Sequence, residues 1–195
     1  MTVCSHMLAG FSLGYHQRHK LLQTLESTPT IASILELEPR QLAADKIKVL
    51  ALDFDGVLAS HGSALPLPEA ILWLQSCQEL FGEERIFILS NKPTDERSRW
   101  FAETFPAIRF IAGVRKKPYP DGLETVARLA GVSPAAVLMV DDRLLTGCLA
   151  ALNAGARPCY IRHPFVSYRH RPLAELFFQL LRGAERVFIR LACRF

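Results

Sequence analysis

The chain has 195 residues, half of them hydrophobic, and a formal net charge of +4. This length suits one ordinary domain with its own core, and no run approaches the roughly 18 apolar residues that a membrane-spanning helix needs. The five cysteines form no C-x-x-C pair, so neither a disulfide framework nor a zinc site is indicated. The modest charge gives no reason to expect nucleic acid as a partner.

The first 30 residues show no clear hydrophobic period and are predicted to be an N-terminal lead without an assigned element. The run Ser27-Thr28-Pro29-Thr30 is typical of a break in secondary structure. After it, a short helical stretch is predicted from about Ile31 to Leu37.

From Ile47 onwards, short apolar runs alternate with amphipathic segments. Strands are predicted at Ile47 to Phe54, Ile86 to Leu89, Ile108 to Ile111, Val137 to Val140 and Pro158 to Ile161. Helices are predicted at about 68 to 80, 95 to 105, 121 to 130 and 145 to 154. This alternation predicts a doubly wound, three-layer α/β fold of the Rossmann type, with a parallel sheet covered on both faces.

Ligands of such sheets bind beyond the carboxyl ends of the strands, so polar residues that follow apolar runs are the candidates for a site. Asp53 and Asp55 end the first run and, on an extended chain, point to one face while Phe54 points to the other. Two carboxylates so close together resist joint ionisation unless a cation compensates, which suits Mg²⁺. Gly56 allows the chain to turn away sharply and leaves room for a phosphate near backbone amides.

Three later segments supply further candidates. Ser90 and Asn91 end the second strand with a hydroxyl and an amide, both able to bind phosphate oxygens. Lys117, next to Lys116 and before Pro118, offers an ammonium that can neutralise a carboxylate nucleophile and a phosphoryl group. Asp141 and Asp142 follow the apolar run from Val137, so four strand-end signals are expected to meet in one crevice.

The order Asp53-Phe54-Asp55-Gly56, Ser90-Asn91, Lys117-Pro118 and Asp141-Asp142 resembles the haloacid-dehalogenase superfamily. The stretch from about Ile31 to Arg190 resembles its YqeG subfamily, which includes phosphatidylglycerophosphate phosphatases of mitochondria and plastids. Further support for the subfamily comes from Leu144-Leu145-Thr146, Asn153-Ala154-Gly155 and an arginine-bearing C-terminal helix.

The fourth motif departs from the subfamily pattern, which usually reads Gly-Asp-Gln-x-x-Thr-Asp. Here the glycine position is Asp141 and the later acid position is Gly147. Asp142 stays aligned with the metal ligand of the pattern, and Asp141 is a candidate to share or take over that role. The second aspartate of the first motif is followed by Gly56-Val57, where the subfamily usually has Asn-Thr.

The resemblance implies a phosphatase that works through an aspartyl-phosphate. Asp53 would attack phosphorus, and Asp55 would protonate the leaving group and then deprotonate water. Mg²⁺ would be held by Asp53, the backbone carbonyl of Asp55, and Asp142, while Ser90, Asn91 and Lys117 would hold the transferred phosphate. The expected substrate is a phosphate ester, with a phospholipid headgroup such as that of phosphatidylglycerophosphate as the first candidate.

The spacing of the motifs leaves no room for a substantial cap domain, so an open site is expected. Residues 1–30 are predicted to be the lead, 31–171 the phosphatase core, and 172–195 a basic amphipathic helix packed on the core or appended to it. In that helix, apolar residues recur at helical spacing beside the arginine ladder Arg182, Arg186, Arg190 and Arg194. Either the apolar stripe packs on the sheet with solvated arginines, or the helix contacts an anionic membrane or an acidic partner.

Two other readings stay open on the sequence alone. The enzyme could act on a soluble phosphate ester, or the chain could be a non-catalytic lipid- or protein-binding module that keeps the fold, because Gly147 replaces an acid. A nucleotide-binding alternative is disfavoured since no G-x-x-x-x-G-K-[ST] is present. The expected compartment is the cytoplasm or an organelle matrix, at the inner face of a membrane.

Overall fold

The computed structural model of the protein describes residues 3–27, 33–91, 94–169 and 171–194. Its strands are β1 Val49–Leu52, β2 Ile86–Ile88, β3 Arg109–Phe110, β4 Val137–Asp141 and β5 Arg157–Tyr160. They form one sheet of order β3-β2-β1-β4-β5 in which every pair is parallel. The predicted doubly wound α/β fold is therefore confirmed.

Eight helices surround this sheet within the described ranges. They are α1 Val3–His16, α2 Arg18–Ser27, α3 Pro39–Ala44, α4 Pro68–Phe81, α5 Asp95–Thr104, α6 Asp121–Ala130, α7 Leu149–Ala154 and α8 Pro172–Ala192. A π-helical turn, Leu144–Cys148, leads into α7, and 3-10 turns occupy Ile34–Glu36, Glu83–Arg85 and Pro134–Ala136.

The central strands β1, β2 and β4 are buried on both faces, which explains their continuous apolar runs. In β1, Leu50 and Leu52 pack in one core cluster with Leu74 of α4, while Val49 and Ala51 belong to a second cluster on the other face. The second cluster is covered by α6 and α7. The sheet is thus the middle layer of three, and its carboxyl edge is left for a site.

Strands β1, β2 and β3 are shorter than their apolar runs predict, whereas β4 extends one residue further, to Asp141, and β5 is shifted by one residue. The first run was predicted to be a strand through Phe54, but β1 ends at Leu52 and the chain leaves the sheet at Asp53. The helix predicted at 145 to 154 begins as the wider π-helical turn and becomes α-helical only at Leu149. The predictions for α4, α5 and α6 agree with the structure to within one residue at each end.

The first 30 residues, for which no element was predicted, contain α1 and α2. Two glycines of α1 pack closely on the core: a β-carbon on Gly14 would lie 2.5 Å from the Cδ2 atom of Leu145, and Gly10 also meets Leu145 closely. Contacts made through glycine add nothing to a hydrophobic period. Of the helix predicted at Ile31 to Leu37, residues 31 and 32 lie outside the described residues and only Ile34–Glu36 form a 3-10 turn.

The predicted C-terminal helix is present as α8 and begins with Pro172 at its first position, where a missing N–H costs nothing. The expectation that its apolar stripe packs on the sheet is wrong: Leu173 and Leu180 are 81% and 67% exposed, while Glu175, Arg182 and Glu185 are buried. The charged residues face inward because they have polar partners on the core. The division into 1–30, 31–171 and 172–195 stays a prediction.

The connection between β1 and α4 is the single loop 53–67, and in the described part of the chain no domain is inserted there or between β2 and β4. Instead, residues of α1 and α8 flank the carboxyl edge of the sheet. None of the helices in the described ranges has the length and apolar character needed to cross a membrane.

Candidate functional site

A cavity of about 700 Å³ opens at the carboxyl ends of β1 and β4. Residues of the β1–α4 loop, the loops after β2 and β3, α1 and α8 all contribute to its wall. The structure brings six of the predicted site residues into this one wall, namely Asp53, Asp55, Ser90, Asn91, Lys117 and Asp142. Asp141, the seventh, lies immediately behind it and is fully buried.

Lys117 joins two of the carboxylates. Its Nζ atom lies 3.0 Å from Oδ1 of Asp53 and 2.6 Å from Oδ2 of Asp141, and the lysine side chain is only 4% exposed. Asp53 is fixed at the end of β1 because its N–H donates to the carbonyl of Val140 at 2.9 Å. An ammonium buried between two carboxylates stays charged. Lys117 therefore compensates negative charge of the carboxylates at the ends of β1 and β4.

Asp142 is paired separately, with an arginine of α8. Nε of Arg182 donates to Oδ2 of Asp142 at 2.6 Å, and the side chains are 2% and 1% exposed. Gly56 makes this packing possible, since its φ of +85° is unfavourable for other residues and a β-carbon there would lie 2.5 Å from the same Oδ2 atom. Asp142 is thus held rigidly with its other oxygen left for the cavity.

At the fourth motif, Asp141 and Gly147 pack tightly against each other. A β-carbon on Gly147 would overlap the carboxylate of Asp141, so a side chain at 147 and an acid at 141 cannot coexist. Asp141 also accepts the N–H of Arg143 at 2.8 Å and is 2.6 Å from Lys117. Asp141 therefore presents its carboxylate to Lys117 from the space that a side chain at position 147 would occupy.

Asp55 is turned towards an arginine that the sequence analysis did not single out. Arg97, near the start of α5, donates from Nη2 to Oδ1 at 2.7 Å and from Nη1 to Oδ2 at 3.0 Å. The N–H of Gly62 adds a third bond to Oδ1 at 3.1 Å. Arg97 is 3% exposed and its guanidinium lies 3.9 Å from the ring centroid of Phe54. This packing fixes the guanidinium in position to bind both carboxylate oxygens of Asp55.

Ser90 and Asn91 follow β2 at the same edge. Ser90 is 8% exposed and lines the cavity. The Asn91 amide binds the backbone of Lys117, accepting its N–H at 3.0 Å and donating to its carbonyl at 3.4 Å. Asn91 therefore positions the segment that carries the lysine, and direct contacts of Ser90 and Asn91 with phosphate stay predictions.

Two further polar contacts of α8 were also missed. His61 lies 3.2 Å from Glu175 and stacks on Phe178 with ring centroids 3.9 Å apart. Glu185 accepts from Nε of Arg143 at 2.7 Å and also pairs with its Nη2. The only sequence signal for these contacts was the presence of two acids within the arginine ladder of α8, and spacing does not reveal their distant partners.

The site suits a divalent cation. Asp53, Asp141 and Asp142 each offer a carboxylate oxygen, and the three oxygens lie within 4.8 Å of one another. Hydrogen bonds within the described ranges occupy both oxygens of Asp141 but only one each of Asp53 and Asp142. Carboxylate oxygens are the ligands that Mg²⁺ prefers. Asp53 and Asp142 therefore fit a magnesium ion, and Asp141 fits the task of orienting Lys117.

Burial and charge set the pKa values here. Burial raises the pKa of Asp53 to about 8, against the attraction of Lys117 and with repulsion from Asp141 and Asp142. Burial also raises the pKa of Asp142 to about 6, although Arg182 opposes the shift. Burial would raise the pKa of Asp55 too, but the bonds and charge of Arg97 outweigh it and hold the pKa below its usual value.

We expect the metal-free protein to lose stability as the pH rises from about 4 to about 8, the interval between the ordinary pKa of Asp53 and its raised value. A raised pKa in the folded state contributes stability below the unfolded pKa, and that contribution is lost as pH passes the folded one. The loss in the free energy of unfolding should be roughly 3 kcal/mol. This is less than the whole shift of the Asp53 pKa would give, because the proton is shared among coupled groups. Bound Mg²⁺ should largely remove it.

Urea unfolding with EDTA and with MgCl₂, across this pH interval, measures the effect. The Asp53→Asn variant is the matched control, since its side chain does not titrate and its unfolding free energy should change less with pH. An equal pH dependence in the two proteins would show that Asp53 is not the group responsible.

A family model for haloacid dehalogenase-like hydrolases matches residues 14–155. No curated protein matches the chain significantly. Among solved structures, an uncharacterized protein from Corynebacterium glutamicum is 20% identical, with 70% of this chain and 96% of that chain covered and a TM-score of 0.46.

Two further structures are more distant. A HAD-superfamily hydrolase of subfamily IA from Geobacter sulfurreducens is 16% identical over 67% of this chain and 96% of its own, with a TM-score of 0.41. A HAD family enzyme from Bacteroides thetaiotaomicron, solved with magnesium and inorganic phosphate, is 15% identical over 64% of this chain and 98% of its own, with a TM-score of 0.38.

The family match covers most of the chain and includes the aspartates at the ends of β1 and β4 together with Lys117, whereas α8 lies outside it. The chain belongs to the haloacid dehalogenase-like hydrolases.

Proposed function

We propose that this hydrolase is a Mg²⁺-dependent phosphatase in which Asp53 is the nucleophile. The observation that carries the proposal is the cluster of Asp53, Lys117 and Asp142 at one edge of the sheet, backed by Asp141. A carboxylate beside a buried ammonium and a cation site has what a phosphoryl transfer needs, namely a nucleophile and positive charge around the transferred group.

Asp53 would attack phosphorus and form an aspartyl-phosphate, while the bond to the leaving oxygen breaks. Lys117, whose side chain is 4% exposed, would neutralise the phosphoryl oxygens, and Ser90 would donate a hydrogen bond to them. Mg²⁺ would be held by Asp53, Asp142 and the backbone carbonyl of Asp55. When bound, it supplies positive charge to the phosphoryl group and to the carboxylates around it.

Asp55 would act as the general acid and base, a role worth about 10² to 10⁴ in rate. Arg97 binds both of its oxygens and favours the carboxylate, which is the form needed to take a proton from the attacking water. To protonate a leaving alkoxide, Asp55 has to exchange one of these bonds for a proton. Esters whose leaving group needs little protonation, such as aryl phosphates, should therefore be hydrolysed faster than alkyl phosphates.

For the physiological substrate we propose phosphatidylglycerophosphate first, on the resemblance of the motifs to the YqeG subfamily. The carboxylate that Asp141 presents to Lys117 supports an active enzyme. An open site without an inserted cap also suits a headgroup presented on a surface. A soluble phosphate ester is the alternative within the same chemistry.

The test is phosphate release from phosphatidylglycerophosphate in mixed micelles, beside an aryl phosphate and a panel of soluble alkyl phosphates. We expect release in MgCl₂ and none in EDTA. A large preference for the lipid would support the proposed substrate, and turnover of soluble esters alone would discard it. A folded protein that binds Mg²⁺ but releases no phosphate from any of these would instead be a non-catalytic binding module.

A further inference from the structure

The outer face of α8 carries a line of exposed apolar side chains. We name this line the outward stripe; its members are Leu173, Leu176, Phe177, Leu180, Val187 and Leu191, each 48% to 81% exposed. They recur at intervals of three, four or seven residues, with Ala184 between, so they lie along one side of the helix for about 27 Å. An exposed apolar surface of this length in one place marks an interaction site.

The outward stripe cannot be hidden by rotating the helix. The opposite face of α8 holds Glu175, Arg182 and Glu185, all at most 2% exposed. They pair with partners on the core, His61, Asp142 and Arg143 respectively. Turning the stripe inward would break the buried ion pairs of Arg182 and Glu185 and the contact of Glu175 with His61, and would bring charged groups to an apolar surface. The orientation is therefore fixed by the site itself.

The exposed charges of α8 and of the residues at its two ends, 171–194, all have one sign. Arg171 precedes the helix, Arg190 lies in its last turn and Arg194 follows it, and all three are exposed. Both acids of α8 are buried in the contacts described above. Leucine and phenylalanine bordered by arginines are suited to the interface of an anionic bilayer, where the apolar groups insert and the arginines bind headgroups.

A second copy of the chain fits less well. If two α8 helices packed antiparallel along their stripes, Arg171 of one copy would face Arg190 and Arg194 of the other. A parallel arrangement would place each arginine beside its own counterpart. Neither arrangement places an exposed acid of α8 between these arginines, so self-association would be opposed by like charges that anionic lipids would instead neutralise.

We propose that the outward stripe of α8, with its flanking arginines, docks the protein on the surface of an anionic lipid bilayer. Phe177 belongs to the stripe and also lines the cavity that contains Asp53, together with Phe178 and Leu181. Docking therefore brings the mouth of the cavity to the lipid surface. The docking stands on α8 alone; the delivery of a lipid-borne phosphate ester to Asp53 rests on the proposed function.

The experiment is flotation of the full chain with vesicles of phosphatidylcholine, with and without phosphatidylglycerol, in the absence of substrate. Wild type should float with the anionic vesicles, and added salt should weaken the binding. The double variant Leu173→Gln/Leu180→Gln should bind at least about tenfold more weakly, since each side chain loses most of its transfer free energy. Arg190→Gln/Arg194→Gln should lower the affinity for anionic vesicles and reduce its dependence on salt.

The matched control is Leu72→Gln/Leu129→Gln, which changes two exposed leucines on α4 and α6. It should bind vesicles like wild type. Equal binding by Leu173→Gln/Leu180→Gln and this control would overturn the proposal. The absence of any preference of wild type for anionic vesicles would also overturn it. So would a concentration-dependent dimer that Leu173→Gln/Leu180→Gln dissolves, because the stripe would then be covered by a second copy.

The docking proposal and the proposed phosphatase function can be tested independently. The Asp53→Asn variant should float like wild type although it lacks the proposed nucleophile. Hydrolysis of a soluble aryl phosphate should survive in Leu173→Gln/Leu180→Gln, because neither leucine lines the cavity. Vesicle binding without any phosphatase activity would keep the docking surface and reject the phosphatase; activity without binding would do the reverse.

Discussion

Replacing Asp53 with asparagine is expected to lower Mg²⁺-dependent phosphate release by at least about 10⁴-fold, because the amide cannot form the covalent intermediate. The fold should survive, since Lys117 keeps its bond to Asp141 and the buried cluster loses one of its three like charges. The measurement is the steady-state rate on an aryl phosphate under saturating MgCl₂, with circular dichroism to verify folding.

Asp55→Asn is the informative companion to this variant. If Asp55 takes the proton from water, its loss should slow the second step, so that phosphate accumulates on the protein after a burst of aryl alcohol. Asp53→Asn should show neither burst nor phosphoprotein. If Asp53→Asn keeps more than about a hundredth of the wild-type rate, its activity is far above what an enzyme without its nucleophile retains. Another residue would then have to be the nucleophile.

The sequence was sufficient to predict the sheet and the convergence of the site because both follow from short-range patterns. Apolar runs such as Val137–Asp141 are buried on both faces, and parallel strands deliver the residues that follow them to one edge. Asp53, Ser90, Lys117 and Asp142 could therefore be placed in one cavity without a structure. Their separation along the chain is large, but their positions relative to the strand ends are local.

The orientation of α8 and the arginines of the site could not be predicted in the same way. Helical periodicity shows that α8 has an apolar side, and the usual assumption is that this side faces the core. Here the inward face of α8 is decided by ion pairs across 40 residues or more, such as that between Asp142 and Arg182. The pairing of Asp55 with Arg97 on α5 spans a similar separation along the chain. A single sequence does not show which charges are paired, so Arg182 looked like one more solvated member of a ladder.

The tight packing of Gly147 against Asp141 gives the second large effect, measurable as stability. Gly147→Asp alone should lower the free energy of unfolding by about 3 kcal/mol or more, because its β-carbon overlaps the Asp141 carboxylate and a further acid is buried. Asp141→Gly alone should also destabilise the protein, by about 3 kcal/mol, since Lys117 loses its shorter ion pair.

The double variant Asp141→Gly/Gly147→Asp should recover much of both losses, because it restores one acid beside Lys117 and removes the overlap. Urea unfolding of the four proteins gives the coupling free energy, which we expect to be several kcal/mol, well above the limit of about 0.5 kcal/mol for independent sites. Gly147→Ala separates the causes, since it retains the steric overlap without the extra charge. Additive losses in the double variant would mean that position 141 does not stand in for position 147, and that Lys117 is held by Asp141 through a geometry that position 147 cannot reproduce.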